Sequence, residues 1–227
     1  MSAMGRFLVI VVLAPLVSCS DPVRLADCKA TAESDLAFWR ATPHLIECAR
    51  SGIAAAESKL ALIYLKEGDT VCASGGCNDK VGADSGLPAG LTKSKAIEEG
   101  MRLMRVAANK GDAIALNEIG YMTLEGLRGI ERNHAQARAF LERGTAAGDS
   151  IAPYNLSRIY FGGYGVPQSE SVGENYLRLS AQRGYHDALC SLAEFEKRRG
   201  GQGRANEPAD CSSNEVMDEV EFLKDAK

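Results

Sequence analysis

The chain has 227 residues, a formal net charge of −4, 45% hydrophobic residues and 6% aromatics. Its hydrophobic fraction is ordinary for a chain that buries a core, and its length fits one domain. The net negative charge removes the electrostatic case for nucleic-acid binding, and few aromatics beside 23 glycines suit thin, closely stacked elements.

Residues 1–18 read as a signal peptide. Arg6 supplies a positive start, and Phe7 to Val17 is an apolar run of 11 residues, short for a bilayer span and right for a signal core. The run ends in Leu16-Val17-Ser18-Cys19, which resembles the bacterial lipobox. That resemblance implies a palmitoylated lipoprotein anchored through Cys19. Ser20, rather than Asp, resembles the sorting choice for the outer membrane, facing the periplasm. An ordinary secretory signal cut nearby is the alternative.

Residues 19–29 read as a tether. Ala30 to Ala41 reads as a helix that stops before Pro43, with Phe38 and Trp39 packing as an N-terminal cap. Helices follow at about 43–51 and 53–66. Glu67 to Thr92 is rich in Gly, Asp and Ser and reads as an insert loop on turn chemistry. A helix resumes near Lys93, and further helices are expected at about 112–125, 133–146, 150–161, 169–182 and 185–198. Residues 199–227 comprise a polar linker and a C-terminal capping helix from Asn214, with Val216, Met217, Val220 and Leu223 on one side.

These helices repeat. Gly111, Gly148 and Gly184 are spaced by 37 and 36 residues, a period that marks a solenoid of stacked helical units. Four residues after each glycine stands a small residue (Ala115, Ala152, Ala188). Eight after stands an aliphatic (Ile119, Leu156, Leu192), and nine after another small residue (Gly120, Ser157, Ala193). Those offsets share one helix side. Before each glycine a second helix carries a large residue (Leu103, Phe140, Tyr176) three after a small one (Gly100, Ala137, Gly173). The glycine itself reads as the residue just past the helix end, where a left-handed backbone suits Gly. Gly52 opens an earlier unit on the same register, lengthened by the insert at 67–92. Each unit is therefore helix A, turn, helix B, turn.

Gly148-Asp-Ser-Ile-Ala152, Leu156-Ser157, Tyr160 and Gly163-Tyr-Gly165-Val166 together resemble the Sel1-like repeat, a relative of the tetratricopeptide repeat. The resemblance covers about residues 50–198. It implies an all-α, right-handed α-solenoid of three to four helix-turn-helix repeats between N- and C-terminal capping helices. It also implies a protein-interaction scaffold whose A helices line the concave face. On that placement, the exposed positions are expected at offsets 3, 6, 7, 10 and 13 from each glycine. The partner-binding residues expected there are Lys59, Leu62, Asn117, Tyr121, Tyr154, Arg158 and Glu194, since Tyr and Arg recur in binding hot spots.

Besides Cys19 the chain holds six cysteines: Cys28, Cys48, Cys72, Cys77, Cys190 and Cys211. An even number in an exported chain suggests disulfides, with 15 possible pairings. Proximity along the chain favours Cys28–Cys48, Cys72–Cys77 and Cys190–Cys211. No catalytic residue, metal site or cofactor is expected. His44, His134 and His186 fall in different units, without zinc-ligand spacing. Gly162-Gly163-Tyr164-Gly165 lacks the Lys-Ser/Thr and preceding strand of a phosphate loop. The expectation is a monomeric, non-catalytic, lipid-anchored scaffold for a protein or peptide partner. The alternatives are an envelope immunity or inhibitor protein, or a cell-wall or β-lactam-acting enzyme.

Overall fold

A computed structural model describes residues 22–33, 40–69, 80–81, 85–200 and 211. Residues 1–18, expected as a signal peptide, Cys19, Phe38, Trp39, Cys72, Cys77 and the segment 214–227 lie outside the described residues. Those described form nine helices: α1 (Pro22–Glu33), α2 (Pro43–Arg50), α3 (Ala54–Asp69), α4 (Lys93–Asn109), α5 (Ala113–Glu125), α6 (His134–Ala146), α7 (Ala152–Gly162), α8 (Glu170–Gln182) and α9 (His186–Arg198). Among them, β-structure is confined to one bridge, Lys80 to Thr92. The chain is an all-α helical repeat solenoid. The hairpins α3–α4, α5–α6 and α7–α8 are its tightest pairs, and each packs on the next.

Local chemistry sets the helix ends. Side chains of Thr42, Thr92, Asp112, Asn133 and Ser169 accept hydrogen bonds from backbone N–H groups three residues on, capping α2, α4, α5, α6 and α8. At the other ends, Gly52, Gly111, Gly148 and Gly184 take φ of +80°, +86°, +98° and +83°. The N–H of the residue after each glycine then reaches back to the helix: Ile53 to Cys48 O, Asp112 to Ala107 O, Asp149 to Gly144 O and Tyr185 to Ser180 O. This is the Schellman arrangement four times over, and it fixes the same reversal at every unit boundary.

Within a hairpin the approach is close because a small residue on one helix receives a large one from the other. A Cβ added at Gly100 would lie 2.8 Å from Leu65, one at Gly120 2.7 Å from Leu141, and one at Gly173 3.0 Å from Phe161. Between units, cations do the joining. Lys110 Nζ donates to Gly52 O (2.9 Å), Arg143 to Ala108 O (3.2 Å), and Arg183 to Thr145 O (2.9 Å) and Asp149 O (2.7 Å). The turns that end α2, α4 and α6 thus each have a carbonyl satisfied by a cation from the end or body of the next B helix, a favourable placement against the helix dipole. The core runs along the solenoid in adjoining clusters, from Leu45, Ile63 and Met104 through Leu141 and Leu156 to Leu177 and Phe195.

Two expectations are corrected at the N-terminal end. Residues 22–29 are the body of α1, not a tether, and residues 40–41 are not helical. Pro22 suits a helix's first turn, and α1 is held down by buried Ala32 and the Cys28–Cys48 disulfide to α2. The insert is also less loop-like near its end. Val81 N donates to Leu91 O (2.8 Å), Ala41 N to Ser85 O (2.7 Å), and Leu87 is buried in the core. The stretch 85–92 therefore packs against the N-terminal units.

Candidate partner-binding face

The A helices α3, α5 and α7 stand side by side, α3 packing on α5 and α5 on α7. Each is also covered by its own B helix. Neighbours on three sides leave each A helix only a narrow exposed strip. That strip follows offsets 3, 10 and 14 from the turn glycine. At offset 10 stand Leu62, Tyr121, Arg158 and Glu194, all half-buried and in one column.

The other expected positions lie inside. Lys59, Asn117 and Tyr154 are 5%, 2% and 3% exposed, so the surface role assigned to them is corrected. Asn117 and Tyr154 both sit at offset 6, which points at the adjacent A helix. Tyr154 meets Tyr185 edge-on, with ring centroids 5.2 Å apart, and belongs to the core cluster with Phe161. Offset 13 is buried for a related reason: Leu65 and Phe161 there fill the hollows at Gly100 and Gly173.

Beneath the column runs a polar spine. Asn155 Nδ2 donates to Asn117 Oδ1 at 2.9 Å, joining α7 to α5. Arg158 donates to Glu125 Oε1 at 3.0 Å and to Asn155 Oδ1 at 3.4 Å. At its other end, Asn117 Nδ2 lies 3.5 Å from Glu118 Oε1. Burial, reinforced by the nearby Asp149 carboxylate, pushes the Glu118 carboxyl up to about 7. Burial also pushes Asp149 up, opposed by hydrogen bonds from the Ala152 and Ile151 N–H groups. Buried amides that satisfy each other cost little and fix the relative register of two helices. The spine was missed by sequence reasoning because its partners are 38 residues apart and no pattern links them.

The arrangement is suited to recognition. Ser58 donates to Ala55 O, Ser157 to Tyr154 O and Ser180 to Ser150 O, so these hydroxyl protons are committed to backbone. The histidines stand apart: His44 beside Asp27, His134 against Tyr164, and His186 beside Cys190. The disulfides Cys28–Cys48 and Cys190–Cys211 are both formed.

Residues 113–149 and 150–185 match the Sel1 repeat family model. These two stretches are similar to the Sel1 repeat. Each matched stretch runs from the start of one A helix to the turn before the next, covering α5–α6 and α7–α8. The α3–α4 hairpin before these matched stretches shares their Schellman turn and helix pairing. A curated relative, the ERAD-associated E3 ubiquitin-protein ligase component HRD3B of Arabidopsis thaliana, is 30% identical over 93 residues, 40% of this chain. The chain spans only 14% of that relative's length. Among solved structures, a Sel1 repeat protein from Oxalobacter formigenes is 27% identical, with a TM-score of 0.49 over 66% of this chain and 95% of that one. A protective antigen of uropathogenic Escherichia coli strains, displaying an SLR fold, is 21% identical, with a TM-score of 0.48 over 81% of this chain and 32% of that one.

Proposed function

We propose that this chain is a non-catalytic protein-interaction scaffold, lipid-anchored through Cys19 in the cell envelope, which holds a protein or peptide along its A-helix face. One observation carries the reading: Leu62, Tyr121, Arg158 and Glu194 form an accessible column on adjacent helices, over a floor locked by Asn117 and Asn155. A column of mixed apolar, aromatic and charged side chains, already ordered before binding, loses little entropy on association. Sel1 repeats generally mediate protein–protein interactions, and two stretches of this chain match that repeat. The lipobox-like Leu16 to Cys19 and the disulfides support export and anchoring.

A photocrosslinking residue placed in cells at Leu62, Tyr121 or Glu194 is expected to capture one common partner, while one at Ala139 on α6 does not. Tyr121→Ala with Arg158→Ala then weakens binding of that partner about tenfold or more, in a chain whose circular dichroism shows it still folded at the assay temperature. Capture only from α6 would overturn the face. Labelled palmitate incorporated equally by the wild type and by Cys19→Ala would overturn the anchor.

A further inference from the structure

The N-terminal disulfide has a third member. Cys28 on α1 and Cys48 on α2 are each 1% exposed. His44 lies one helical turn before Cys48 on the same face of α2. Its Nε2 stands 3.7 Å from Cys48 Sγ and 3.0 Å from Asp27 Oδ2. The two sulfurs and a ring nitrogen of His44 all lie within 4.8 Å of one another. His44 and Asp27 keep 41% and 64% of their side chains exposed, so the polar side of the cluster opens to solvent while the sulfurs lie just beneath it.

This geometry does not suit a nucleophile. A Cys–His–Asp relay uses both ring nitrogens, one facing the sulfur and the other the carboxylate. Here one nitrogen faces both. Donors converging on one point are the arrangement of a metal site. Tetrahedral zinc, with Zn–S of about 2.3 Å and Zn–N of about 2.0 Å, sets its sulfur–nitrogen edges at about 3.6 Å and its sulfur–sulfur edge at about 3.8 Å. The His44–Cys48 separation already matches the first edge, so only the two sulfurs need to part.

We propose that Cys28, His44 and Cys48 form a redox-gated site for a thiophilic divalent cation such as zinc. The disulfide closes the site and reduction opens it. A small dithiol transfers two electrons and two protons to the Cys28–Cys48 bond, leaving two protein thiols and the oxidised dithiol. Cation uptake then releases two protons from those thiols and forms two metal–thiolate bonds and one metal–imidazole bond. The fourth position faces the opening, where water or the Asp27 carboxylate completes the tetrahedron. The cross-link between α1 and α2 is thereby kept in either redox state. The C-terminal disulfide supplies an internal contrast. His186 stands 3.6 Å from Cys190 Sγ, again four residues before it. Among the described residues, however, only the N-terminal cluster brings three such donors together this closely, and Asp187 is taken up by the Tyr185 hydroxyl at 2.5 Å.

Cobalt(II), added to the full chain under anaerobic conditions before and after reduction, tests the site. The reduced chain is expected to bind one cobalt, with a thiolate-to-cobalt charge-transfer band, while the oxidised chain shows none. Cys28→Ser abolishes the band. His44→Ala, which leaves the disulfide free to form during folding, weakens cobalt binding about tenfold or more. Cys190→Ser with Cys211→Ser, and Cys72→Ser with Cys77→Ser, leave the band in place. Absence of the band in the reduced wild type would overturn the site. So would a band of equal strength and affinity in His44→Ala.

Discussion

The first hairpin, α3–α4, and the two that follow share one backbone plan, yet their junctions are held by different chemistry. In the later hairpins the residue after the turn glycine is Asp112 or Asp149, whose carboxylate accepts from the N–H of Ala115 (3.0 Å) or Ala152 (2.5 Å). In the first, that position is Ile53. A carboxylate instead enters one turn later as Glu57, buried to 7% side-chain exposure and held by Lys110 Nζ at 2.6 and 2.7 Å. The register is therefore independent of how the junction's polar groups are satisfied. The cost of disturbing a junction depends strongly on which solution it uses.

Lys110→Met puts the largest strain on that difference. It leaves the Glu57 carboxylate buried without its cation, and removing one partner of a buried pair costs about 3 kcal/mol. Arg183→Met, at the corresponding junction between α6 and α8, removes hydrogen bonds to the Thr145 and Asp149 carbonyls and the cation's support of the Asp149 carboxylate, and is expected to cost about 1.5 kcal/mol. Urea unfolding of both variants measures the gap, and equal losses would erase the contrast between the junctions.

Glycine substitutions sharpen the same comparison inside one hairpin. Gly120→Ala drives a Cβ to 2.7 Å from Leu141 Cγ and 3.3 Å from its backbone nitrogen, so α5 and α6 must separate, at about 2 kcal/mol. Gly111→Ala meets nothing within 4 Å and carries only the strain of φ +86°, about 1 kcal/mol. Thermal unfolding that ranks Gly111→Ala as the worse of the two would show that turn geometry, not helix approach, limits the stack.

These cases also mark what the sequence could disclose. The period of Gly111, Gly148 and Gly184 gave helix order and hairpin pairing, and the small residues Gly100, Gly120 and Gly173 announced the close contacts. The exposed strip was only half legible. Helical phase identifies the side opposite one buried stripe, but an A helix here has neighbours on three sides, so offset 6 faces another A helix and offset 13 fills a hollow. Leu62, Tyr121, Arg158 and Glu194 do reach the partly exposed strip, whereas Lys59, Asn117 and Tyr154 lie inside. The carbonyl contacts of Arg143 and Arg183 were not legible at all, because they join turns 34 to 38 residues apart through backbone oxygens that carry no residue identity.

Offset 7 gives the smallest and most selective test, because it holds Lys59, Glu118 and Asn155 in the three successive hairpins. Lys59 and Asn155 are buried, and Glu118 is half-buried with its carboxyl raised from 4.5 to about 7 by burial and by Asp149. A carboxyl raised on folding means that the folded chain binds the proton more tightly than the unfolded one. Its contribution to stability is fully present below about pH 4.5 and is lost as the pH rises through about 7. Glu118→Gln keeps the shape and removes the titration. The variant is expected to match the wild type at pH 4 and to exceed it by roughly 1.5 kcal/mol at pH 8, about half of what the full shift would give because the carboxyl is only half-buried, as read by urea unfolding at each pH. A difference that does not change between the two pH values would mean that Glu118 is as well solvated as an ordinary surface carboxylate. The polar spine would then begin at Asn117 rather than at Glu118.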